Sequence, residues 1–449
     1  MLNHTDFLRL KLDSYISPNN IVLDESNIGS MKPFPDTSWQ TRSGLEETFA
    51  RLDNLLHSFQ PVWKPEPFQY LQLPWQDDYP KVVESLLALS DEELQHLQNT
   101  PEHLIQFIDD AFQLTGQLVE LSHSERLSPN SIQESNCTHA PKKPIPDALT
   151  AGIPGRKWQQ IEAFCNHLPS ASHYTDWCCG KGHLARLIHF HKKAPVTGLE
   201  YNPTLCDKGN QLSEKLKVPV DIREQDVLAP IKDLSVLNRH VTALHACGDL
   251  HTRLLTQAVA HGSTALSLSP CCYHLTANES YQRLSNTLSS GAPMKLILSK
   301  EDLKLAVQET VTAPKRDQHH RRTLKQWRLA FDLIQRKVSG VDQYRHCPSL
   351  PYSSIHQGFE SLVERFSEHL GLTISETLDY QYFLTKAESR LADVERLELA
   401  RQGFRRALEL WLIHDRALFL AQSGYRVRFG TFCDRSLTPR NLLIHAERI

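Results

Sequence analysis

Apolar and polar positions in the middle of the chain follow two alternating periods. Short apolar runs typical of buried strands end at Cys178, Glu200, Glu224, Cys247 and Ser269, and runs with helical periodicity separate most of them. Regular alternation of strand and helix is typical of a parallel sheet that is covered by helices on both faces. The pattern therefore predicts an α/β domain, which we place at residues 151–449.

The first 125 residues have a different pattern, with helical periodicity and Pro-rich connections. Between residues 41 and 59 the apolar positions fall on one face of a helix. Ser90 followed by three acids, and Thr100 followed by Pro101, are typical of helix starts. Residues 126–150 lack an apolar period and are rich in Ser, Asn, His, Pro and Lys, so we predict a linker after a helical domain at 1–125.

The carboxyl-terminal part of the chain leaves the strand–helix alternation. Residues 300–380 are mostly helical in pattern and predict an insertion, and a long helix is predicted over residues 388–422. Two strand-like runs, 425–432 and 441–445, follow with a short turn between them and predict an antiparallel hairpin. A doubly wound, Rossmann-like sheet closed by such a hairpin is the architecture of class I methyltransferases.

The overall composition excludes several classes of protein. The chain has 449 residues and a net charge of −3, so it is not a polycation built to coat nucleic acid. No apolar window is long enough to span a bilayer, and no secretory signal is visible at the amino terminus. The ten cysteines include no pair at zinc-finger spacing, and we expect reduced thiols in a cytoplasmic protein without membrane partners.

The segment Asp176-Trp-Cys-Cys-Gly-Lys-Gly lies between the first strand and the next helix and predicts a nucleoside-binding turn. Gly180 and Gly182 let the backbone approach a ligand closely because neither carries a Cβ. Asp176 suits an ammonium group, and Glu200 at the end of the second strand suits the hydroxyl groups of a ribose. Asp226 follows the third strand, where an adenine amino group would lie. The order of these acids favours S-adenosylmethionine as the ligand.

Other interpretations of this turn stay open. Gly180-x-Gly182-x-x-Ala185 also satisfies the relaxed dinucleotide fingerprint, so a nicotinamide-dependent oxidoreductase is the rival prediction. Glu200 would then bind the ribose of the dinucleotide. A separate alternative is that Asp176 and Asp226 merely cap helix starts. A further alternative is a non-catalytic protein that keeps the fold as a scaffold for a partner.

Two segments close the fourth and fifth strands, His245-Ala-Cys-Gly-Asp249 and Ser269-Pro-Cys-Cys-Tyr-His274. Because the carboxyl ends of central parallel strands face the ligand crevice, both segments should face one pocket. We predict that this pocket binds the methyl acceptor and that its lining is His245, Cys247, Asp249, Cys271, Tyr273 and His274. His245 and His274 are candidate bases, since imidazole titrates near neutrality.

The same segments have alternative interpretations. Cys247 is then a small apolar core residue, and Asp249 caps the helix that follows. A zinc site is conceivable from these cysteines and histidines, but adjacent cysteines do not easily share one tetrahedral site. No metal is therefore predicted.

A basic stretch between Lys315 and Lys337 predicts contacts with phosphate groups. Its members are Lys315, Arg316, Arg321, Arg322, Lys325, Arg328, Arg336 and Lys337. The alternative is an ordinary solvated helix face. Elsewhere, Lys157 precedes the first strand and is predicted near the entrance of the cofactor site.

The segments Asp176-Trp-Cys-Cys-Gly-Lys-Gly-His-Leu, His245-Ala-Cys-Gly-Asp-Leu and Pro270-Cys-Cys-Tyr-His-Leu resemble the methyltransferase-like protein 25 family and its bacterial relatives. The resemblance runs from about Gly155 to the carboxyl end. The Gly-Lys-Gly, His-x-Cys-Gly and Cys-Cys-x-His elements are also similar to those of a eukaryotic tRNA 2′-O-methyltransferase family. The resemblance implies a class I fold, S-adenosylmethionine as cofactor and a methyl-transfer activity.

The resemblance also implies the positions of the cofactor residues. It places Asp176, Gly180, Gly182, Glu200 and Asp226 at the cofactor, and the complete predicted set adds Lys157, Cys178, His183, Val227 and His245. The chain has two cysteines at 178 and 179 where relatives often show Gly-Ala, which crowds the methionine end. We expect a cytoplasmic S-adenosylmethionine-dependent methyltransferase whose acceptor is RNA, tRNA or rRNA, or else a protein.

Overall fold

The computed structural model describes residues 39–123, 145–291, 293–308, 315–374 and 378–449. Its α-helices are α1 (Arg42–Ser58), α2 (Gln60–Trp63), α3 (Pro80–Leu87), α4 (Asp91–Asn99), α5 (Pro101–Ala111), α6 (Gln117–Ser122), α7 (Asp147–Thr150), α8 (Gly155–Asn166), α9 (His183–Lys192), α10 (Pro203–Leu216), α11 (Asp249–Ala260), α12 (Asp302–Leu305), α13 (Lys315–Ser339), α14 (Gly358–Leu370), α15 (Tyr380–Gly403) and α16 (Arg405–Gln422). Most of the predicted linker lies outside the described residues, as does the beginning of the predicted amino-terminal domain.

The predicted helix starts in the first part of the chain are confirmed. At the start of α4 the Ser90 hydroxyl accepts a hydrogen bond from the Glu93 backbone, and the Glu93 carboxylate accepts one from the Ser90 backbone. This reciprocal pair satisfies two backbone donors that a helix start otherwise leaves without partners. Pro101 occupies the first position of α5, where its missing N–H costs nothing.

One seven-stranded mixed sheet forms from the strands of the described chain. They are β1 (Tyr174–Trp177), β2 (Val196–Glu200), β3 (Val220–Glu224), β4 (His240–Cys247), β5 (Ala265–Cys271), β6 (Tyr425–Thr431) and β7 (Leu442–Arg448), in the spatial order β3-β2-β1-β4-β5-β7-β6. The first five strands are parallel, and each ends within two residues of its predicted end.

The terminal hairpin is antiparallel, as predicted. β7 lies between β5 and β6 and pairs antiparallel with both, with Leu268 opposite Ile444 and Phe429 opposite Ile444. Five parallel strands followed by this reversed pair confirm the class I methyltransferase fold. The predicted helix over 388–422 differs in detail, because α15 begins earlier and a break at Phe404 separates it from α16. Gly403 precedes the break, and glycine weakens a helix.

Helices flank the sheet and bury its apolar side chains. α9 packs against β1 and β2, α10 against β2 and β3, and α11 against β4 and β5. A core of buried residues including Ile161, Leu187, Val196, Ile222 and Phe432 joins α8 and α9 to the strands and to the end of β6. Among the described residues, no helix is both long and apolar enough to cross a membrane.

The described residues divide into two compact units. The sheet unit contains the described parts of Asp24–His57, Glu120–Gln308 and Arg406–Ile449, and the helical unit contains those of Ser58–Val119 and Glu309–Arg405. This grouping places α13 and α14 of the predicted insertion in one unit with most of the described part of the predicted amino-terminal domain, whereas α12 belongs to the sheet unit. The predicted boundaries at residues 125 and 150 themselves stay predictions.

The first helix, α1, belongs to the sheet unit because of a buried carboxylate. Asp53 is 2 % exposed and accepts hydrogen bonds from the backbone of Lys295 and Leu296 and from the indole of Trp411 on α16. Phe49, one turn earlier, packs against the same indole ring. A buried carboxylate with several donors fixes the position of its helix, which the apolar pattern of α1 alone does not reveal.

Candidate functional site

The turn between β1 and α9 has the backbone conformation that its glycines allow. Cys178, Gly180 and Gly182 all have positive φ, at 57°, 57° and 70°. At Gly182 a Cβ would lie 2.7 Å from the Cδ1 of Ile222, so a larger residue does not fit. At Gly180 a Cβ would meet no atom within 4 Å, which leaves open space beside the backbone. The turn is therefore accessible to a ligand on the side of Gly180.

The carboxylate of Glu200 is held at the end of β2 by two backbone donors. Its Oε2 accepts from the N–H of Gly180 at 2.8 Å, and its Oε1 accepts from the N–H of Asn202 at 2.9 Å. Each carboxylate oxygen can accept a second hydrogen bond. Glu200 is thus fixed beside the glycine turn and keeps acceptor capacity for the hydroxyl groups of a ligand.

A cavity of about 430 Å³ opens at the carboxyl ends of the first three strands. It is lined by Cys178, Leu199, Glu200, Tyr201, Gln225, Asp226, Val227, Leu228 and Leu250. Of the residues predicted at the cofactor, Cys178, Glu200, Asp226 and Val227 lie in this lining. The wall thus combines two carboxylates with several apolar side chains.

Five residues of the cavity wall were missed by the sequence analysis: Leu199, Tyr201, Gln225, Leu228 and Leu250. Tyr201 and Leu228 are 72 % and 52 % exposed, which is unusual for such side chains. The sequence carried a signal for these two residues. Tyr201 and Leu228 each lie within two residues of a predicted acid, Glu200 or Asp226, at exposed positions where a polar residue is usual.

Buried Gln225 holds the loop that carries Asp226. Its side-chain amide donates to the carbonyl oxygens of Asp226 and Pro230 and accepts from the backbone N–H of Lys232. Asp226 is exposed, and its Oδ1 accepts from the backbone N–H of Leu228 at 2.9 Å. The alternative that Asp226 caps an α-helix is not what the structure shows, because this bond closes a local turn.

Asp176 lies within β1 and is 2 % exposed. Its carboxyl group accepts a hydrogen bond from the backbone of Ala185 in the first turn of α9. The Oδ2 atom is buried and has no hydrogen-bond partner among the described residues. Burial raises the pKa of Asp176 to about 7, since removal from water disfavours the charged form. Asp176 thus partly caps the helix, as the alternative expected, and keeps one oxygen for a cation.

Lys157 and His183 flank the glycine turn. Lys157 is exposed on α8, and its charge acts on the rings of both His183 and His245. His183 begins α9, and its Nδ1 lies 3.2 Å from a guanidinium nitrogen of Arg186. Burial and the charge of Arg186 lower the pKa of His183 to about 4, so its imidazole is neutral at pH 7.

The ends of β4 and β5 bring three sulfur atoms together. Cys247 pairs with Cys271 across the two strands, and their Sγ atoms are 3.4 Å apart. With the Sγ of Cys272 they form a set of ligand atoms that all lie within 4.8 Å of one another. We call Cys247, Cys271 and Cys272 the thiol cluster. Hydrogen bonds from Cys247 and Cys271 hold the pKa of Cys272 well below its usual range, and the nearby Arg440 acts in the same direction.

The histidines of the predicted acceptor pocket lie at the ends of the same two strands. His245 interrupts β4 with a φ of 68°, is exposed, and places its Nε2 3.0 Å from the Oε1 of Gln160. His274 is half-buried, and its Nδ1 has no hydrogen-bond partner among the described residues. Both rings therefore remain candidate bases.

Asp249 and Tyr273 have contacts that stabilise the fold. The carboxylate of Asp249 accepts from the backbone N–H of Ala277 at 2.8 Å and braces the loop after β5. Tyr273 is 3 % exposed, and its ring lies 4.8 Å from the guanidinium carbon of buried Arg416 and beside His251. Their roles in an acceptor pocket stay predictions.

The basic stretch forms part of α13 in the helical unit, and several of its charges have partners there. Arg322 pairs with Glu395, and Arg336 pairs with buried Asp332. Arg328 donates to the carbonyl oxygens of Cys347 and Pro348, and Lys337 lies over the ring of Phe383. The side chains of Lys315 and Arg316 lie outside the described set. The helical unit thus supplies structural partners for Arg322, Arg328, Arg336 and Lys337.

Comparison with known proteins gives one family match and several similar folds. Residues 156–279 match the family model described as a methyltransferase domain. Comparison with curated proteins finds no match. A geranyl diphosphate C-methyltransferase from Streptomyces coelicolor A3(2), solved with S-adenosyl-L-homocysteine, is 20 % identical with a TM-score of 0.22, over 24 % of this chain and 44 % of that one.

Two other similar structures differ in coverage. A coclaurine N-methyltransferase bound to N-methylheliamine and S-adenosylhomocysteine is 16 % identical with a TM-score of 0.22, over 51 % of this chain and 63 % of that one. An uncharacterised protein from Listeria monocytogenes serotype 4b is 14 % identical with a TM-score of 0.23, over 47 % and 98 %. The matches span between 44 % and 57 % of the geranyl diphosphate methyltransferase chains.

The family match includes the glycine turn, the cavity wall and the thiol cluster. Residues 156–279 therefore form a methyltransferase domain, as the sequence predicted. The match favours the methyltransferase over the nicotinamide-dependent oxidoreductase, which the glycine pattern and Glu200 would also suit.

Proposed function

We propose that this methyltransferase domain binds S-adenosylmethionine in the cavity beside Gly180 and transfers its methyl group to RNA. One observation carries the proposal. The cavity at the ends of β1, β2 and β3 combines two carboxylates with an apolar wall, and the turn that contributes Cys178 to this wall has open space beside Gly180. Those features suit the backbone approach, the polar groups and the adenine ring of a nucleoside ligand.

Each part of the cofactor has a group that suits it. Glu200, fixed by Gly180 and Asn202, accepts hydrogen bonds from the ribose hydroxyls. Tyr201 and Leu228 cover the adenine ring, and Asp226 accepts from its amino group. The methionine ammonium belongs with Asp176, whose Oδ2 is buried without a partner among the described residues. A bound cation there would offset the cost of an unpaired carboxylate.

Methyl transfer asks little covalent chemistry of the protein. The acceptor atom attacks the methyl carbon, the bond from that carbon to sulfur breaks with its electron pair, and S-adenosylhomocysteine leaves as a neutral thioether. Positioning of the two reactants supplies much of the acceleration. If the acceptor is a hydroxyl, its proton passes to a base, for which His245 and His274 are available.

The acceptor site lies at the ends of β4 and β5, next to the cofactor in the sheet. Since β4 is the direct neighbour of β1, a substrate at His245 and His274 faces the turn that holds the methionine end. Alongside burial, the charge of Lys157 lowers the pKa of both His183, beside the glycine turn, and His245, at the end of β4, so both residues lie near the same lysine. The arrangement gives one continuous site with a donor half and an acceptor half.

RNA is proposed as the acceptor ahead of protein. Its supports are the resemblance to the tRNA methyltransferases and the exposed side chains of Arg321 and Arg322 on α13. The cation of Arg440 beside the thiol cluster also suits an anionic substrate.

The cofactor half is tested by calorimetric titration with S-adenosylhomocysteine. The intact protein should bind one equivalent, Asp226→Asn should bind at least tenfold more weakly, and Asp221→Asn should bind normally. Asp221 is the matched control because it lies on β3 and pairs with Arg223 outside the cavity. Absence of binding by the folded protein, together with binding of a nicotinamide dinucleotide, would overturn the proposal.

The acceptor half is tested by incubating the protein with labelled S-adenosylmethionine and a cell extract. Label in macromolecules that ribonuclease removes supports RNA, and label that only protease removes identifies a protein acceptor instead. Label confined to small molecules contradicts both.

A further inference from the structure

The backbone around Cys272 explains how two adjacent cysteines reach the same place. Successive side chains of a strand point to opposite faces of the sheet, which normally separates neighbouring residues. β5 ends at Cys271, and Cys272 adopts a left-handed conformation with a φ of 48°. The reversal ends the alternation and brings the sulfur atoms of both residues within 4.8 Å of each other and of Cys247.

Two loops hold the thiol cluster in this arrangement. The N–H of Gly248 donates to the carbonyl of Cys271 at 3.1 Å, and the N–H of Asp249 donates to the carbonyl of Leu275 at 3.0 Å. At Gly248 a Cβ would lie 1.8 Å from the carbonyl oxygen of Leu275, so glycine alone permits the approach. The N–H of Leu275 in turn donates to the carbonyl of Cys272, which closes the second loop. The three thiols therefore sit on a rigid frame before any ligand arrives.

We propose that Cys247, Cys271 and Cys272 bind a thiophilic divalent cation, with zinc as the ion that fits best. Zinc takes thiolate and imidazole ligands in a tetrahedral site and has no redox chemistry of its own. Three thiolates carry one negative charge more than the ion neutralises, and Arg440 lies close enough to offset it. His274, two residues after Cys272, lies outside the set of atoms within 4.8 Å of one another, but its Nδ1 is buried without a partner among the described residues, so a shift of its loop would make it the fourth ligand.

The site would have three thiolate ligands and lie adjacent to the acceptor half. Binding of the metal ion releases the thiol protons to solvent as the metal–sulfur bonds form. An ion there would lock the ends of β4 and β5 together and fix the loop that carries His274. It would therefore order the acceptor half whether or not it touches the substrate.

The proposal is tested on the full chain, purified without a histidine tag or a chelator. The protein is incubated with zinc chloride and desalted, and retained zinc is measured by plasma mass spectrometry. One equivalent should be retained by the intact protein, and Cys271→Ser or Cys272→Ser should lose most of it. Cys347→Ser is the matched control, since this thiol is also buried but lies in the helical unit. It should retain the full equivalent.

A second measurement keeps the proposal testable if a cluster variant fails to fold. Cobalt(II) added to the intact protein should give a strong sulfur-to-metal charge-transfer absorption and visible bands typical of a tetrahedral site, and zinc should abolish both. His274→Ala should weaken zinc binding without removing it. Failure of the intact protein to retain zinc, equal retention by Cys272→Ser and Cys347→Ser, or a disulfide within the cluster detected by alkylation and mass spectrometry would overturn the proposal. None of these readouts depends on S-adenosylhomocysteine, so the cofactor proposal is tested separately.

Discussion

The carboxylate of Glu200 accepts a hydrogen bond from the backbone N–H of Gly180 at 2.8 Å. This bond joins the end of β2 to the glycine turn that follows β1. Both positions belong to the proposed cofactor site, so the residue that would bind the ribose also shapes the turn that would lie against the methionine end. Loss of this carboxylate should therefore affect ligand binding and folding together.

Replacement of Glu200 by alanine tests this double role. The variant leaves the N–H of Gly180 without its acceptor, which should lower the free energy of unfolding by about 1–3 kcal/mol. Affinity for S-adenosylhomocysteine should fall at least tenfold. Urea unfolding and calorimetric titration measure the two effects. Glu224→Ala, in register with Glu200 at the end of β3, is the control and should leave the affinity unchanged.

The pH dependence of stability tests the burial of Asp176. Its pKa is about 7 in the folded protein against 3.8 ordinarily, so between these values the folded state keeps a proton that the unfolded state has lost. Stability should therefore fall as the pH rises from about 4 to 7 and level off above that. Asp176→Asn should lack this pH dependence. At pH 7 and above its free energy of unfolding should exceed that of the wild type by a few kcal/mol, on the order of 1.4 kcal/mol for each unit by which the pKa is raised. Urea unfolding across this pH range measures it, and equal pH profiles would contradict the prediction.

Ligand binding should reverse the protonation of the same carboxyl group. A methionine ammonium beside Asp176 favours the ionised form, so binding of S-adenosylhomocysteine at pH 7 should release protons. Calorimetry in buffers of different ionisation enthalpy measures that release. It should be much smaller in Asp176→Asn, and equal proton release in both proteins would place the ammonium elsewhere.

The exposed ring of Tyr201 should contribute to binding but not to folding. Stacking of a base on an aromatic side chain is worth about 1–3 kcal/mol. Tyr201→Ala should therefore weaken binding of S-adenosylhomocysteine roughly tenfold or more with an unchanged melting temperature, because the ring is 72 % exposed. Tyr201→Phe keeps the ring and should bind normally. Equal weakening in both variants would point to the hydroxyl group instead.

The close approach of Gly248 to Leu275 should make alanine intolerable there. Gly248→Ala combines a positive φ of 55° with a Cβ 1.8 Å from a carbonyl oxygen, and should cost roughly 2–5 kcal/mol. Gly291→Ala is the control, since φ is 70° but no atom lies within 4 Å of the added Cβ, and it should cost only about 1–2 kcal/mol. Urea unfolding of both variants measures the difference. Equal losses would show that the two loops can separate freely.

Local signals identified the two carboxylates of the cavity wall and missed Gln225 and most of the apolar side chains. Glu200 and Asp226 follow predicted strand ends, and acids at such positions have few reasons to be there besides a ligand or a cap. Leu250 lies in α11, fifty residues after Glu200 in the sequence. It reaches the cavity only because β4 packs beside β1 in the folded sheet. Tyr201 directly follows Glu200, and an aromatic residue at that exposed position was a local signal that the hydrophobic periodicity did not reveal.

The positions of several helices could be predicted from the sequence, whereas the way the helices pack together could not. The amphipathic pattern of α1 predicted its existence, and the capping residues of α4 and α5 predicted their starts. The pattern did not reveal which helices pack together. That depends on pairs such as Asp53 with Trp411, which are 358 residues apart in the sequence.

The sequence by itself determined the seven strands, their order along the chain and the class I methyltransferase fold. Periodicity, caps and turn residues act between neighbours in the chain, so they are legible without the structure. Only the tertiary structure decided that three cysteines from two strand ends share one place. Their approach depends on the pairing of β4 with β5 and on the left-handed backbone at Cys272. Strand pairing and the reversal of a single residue arise from contacts across the fold, which no local pattern specifies.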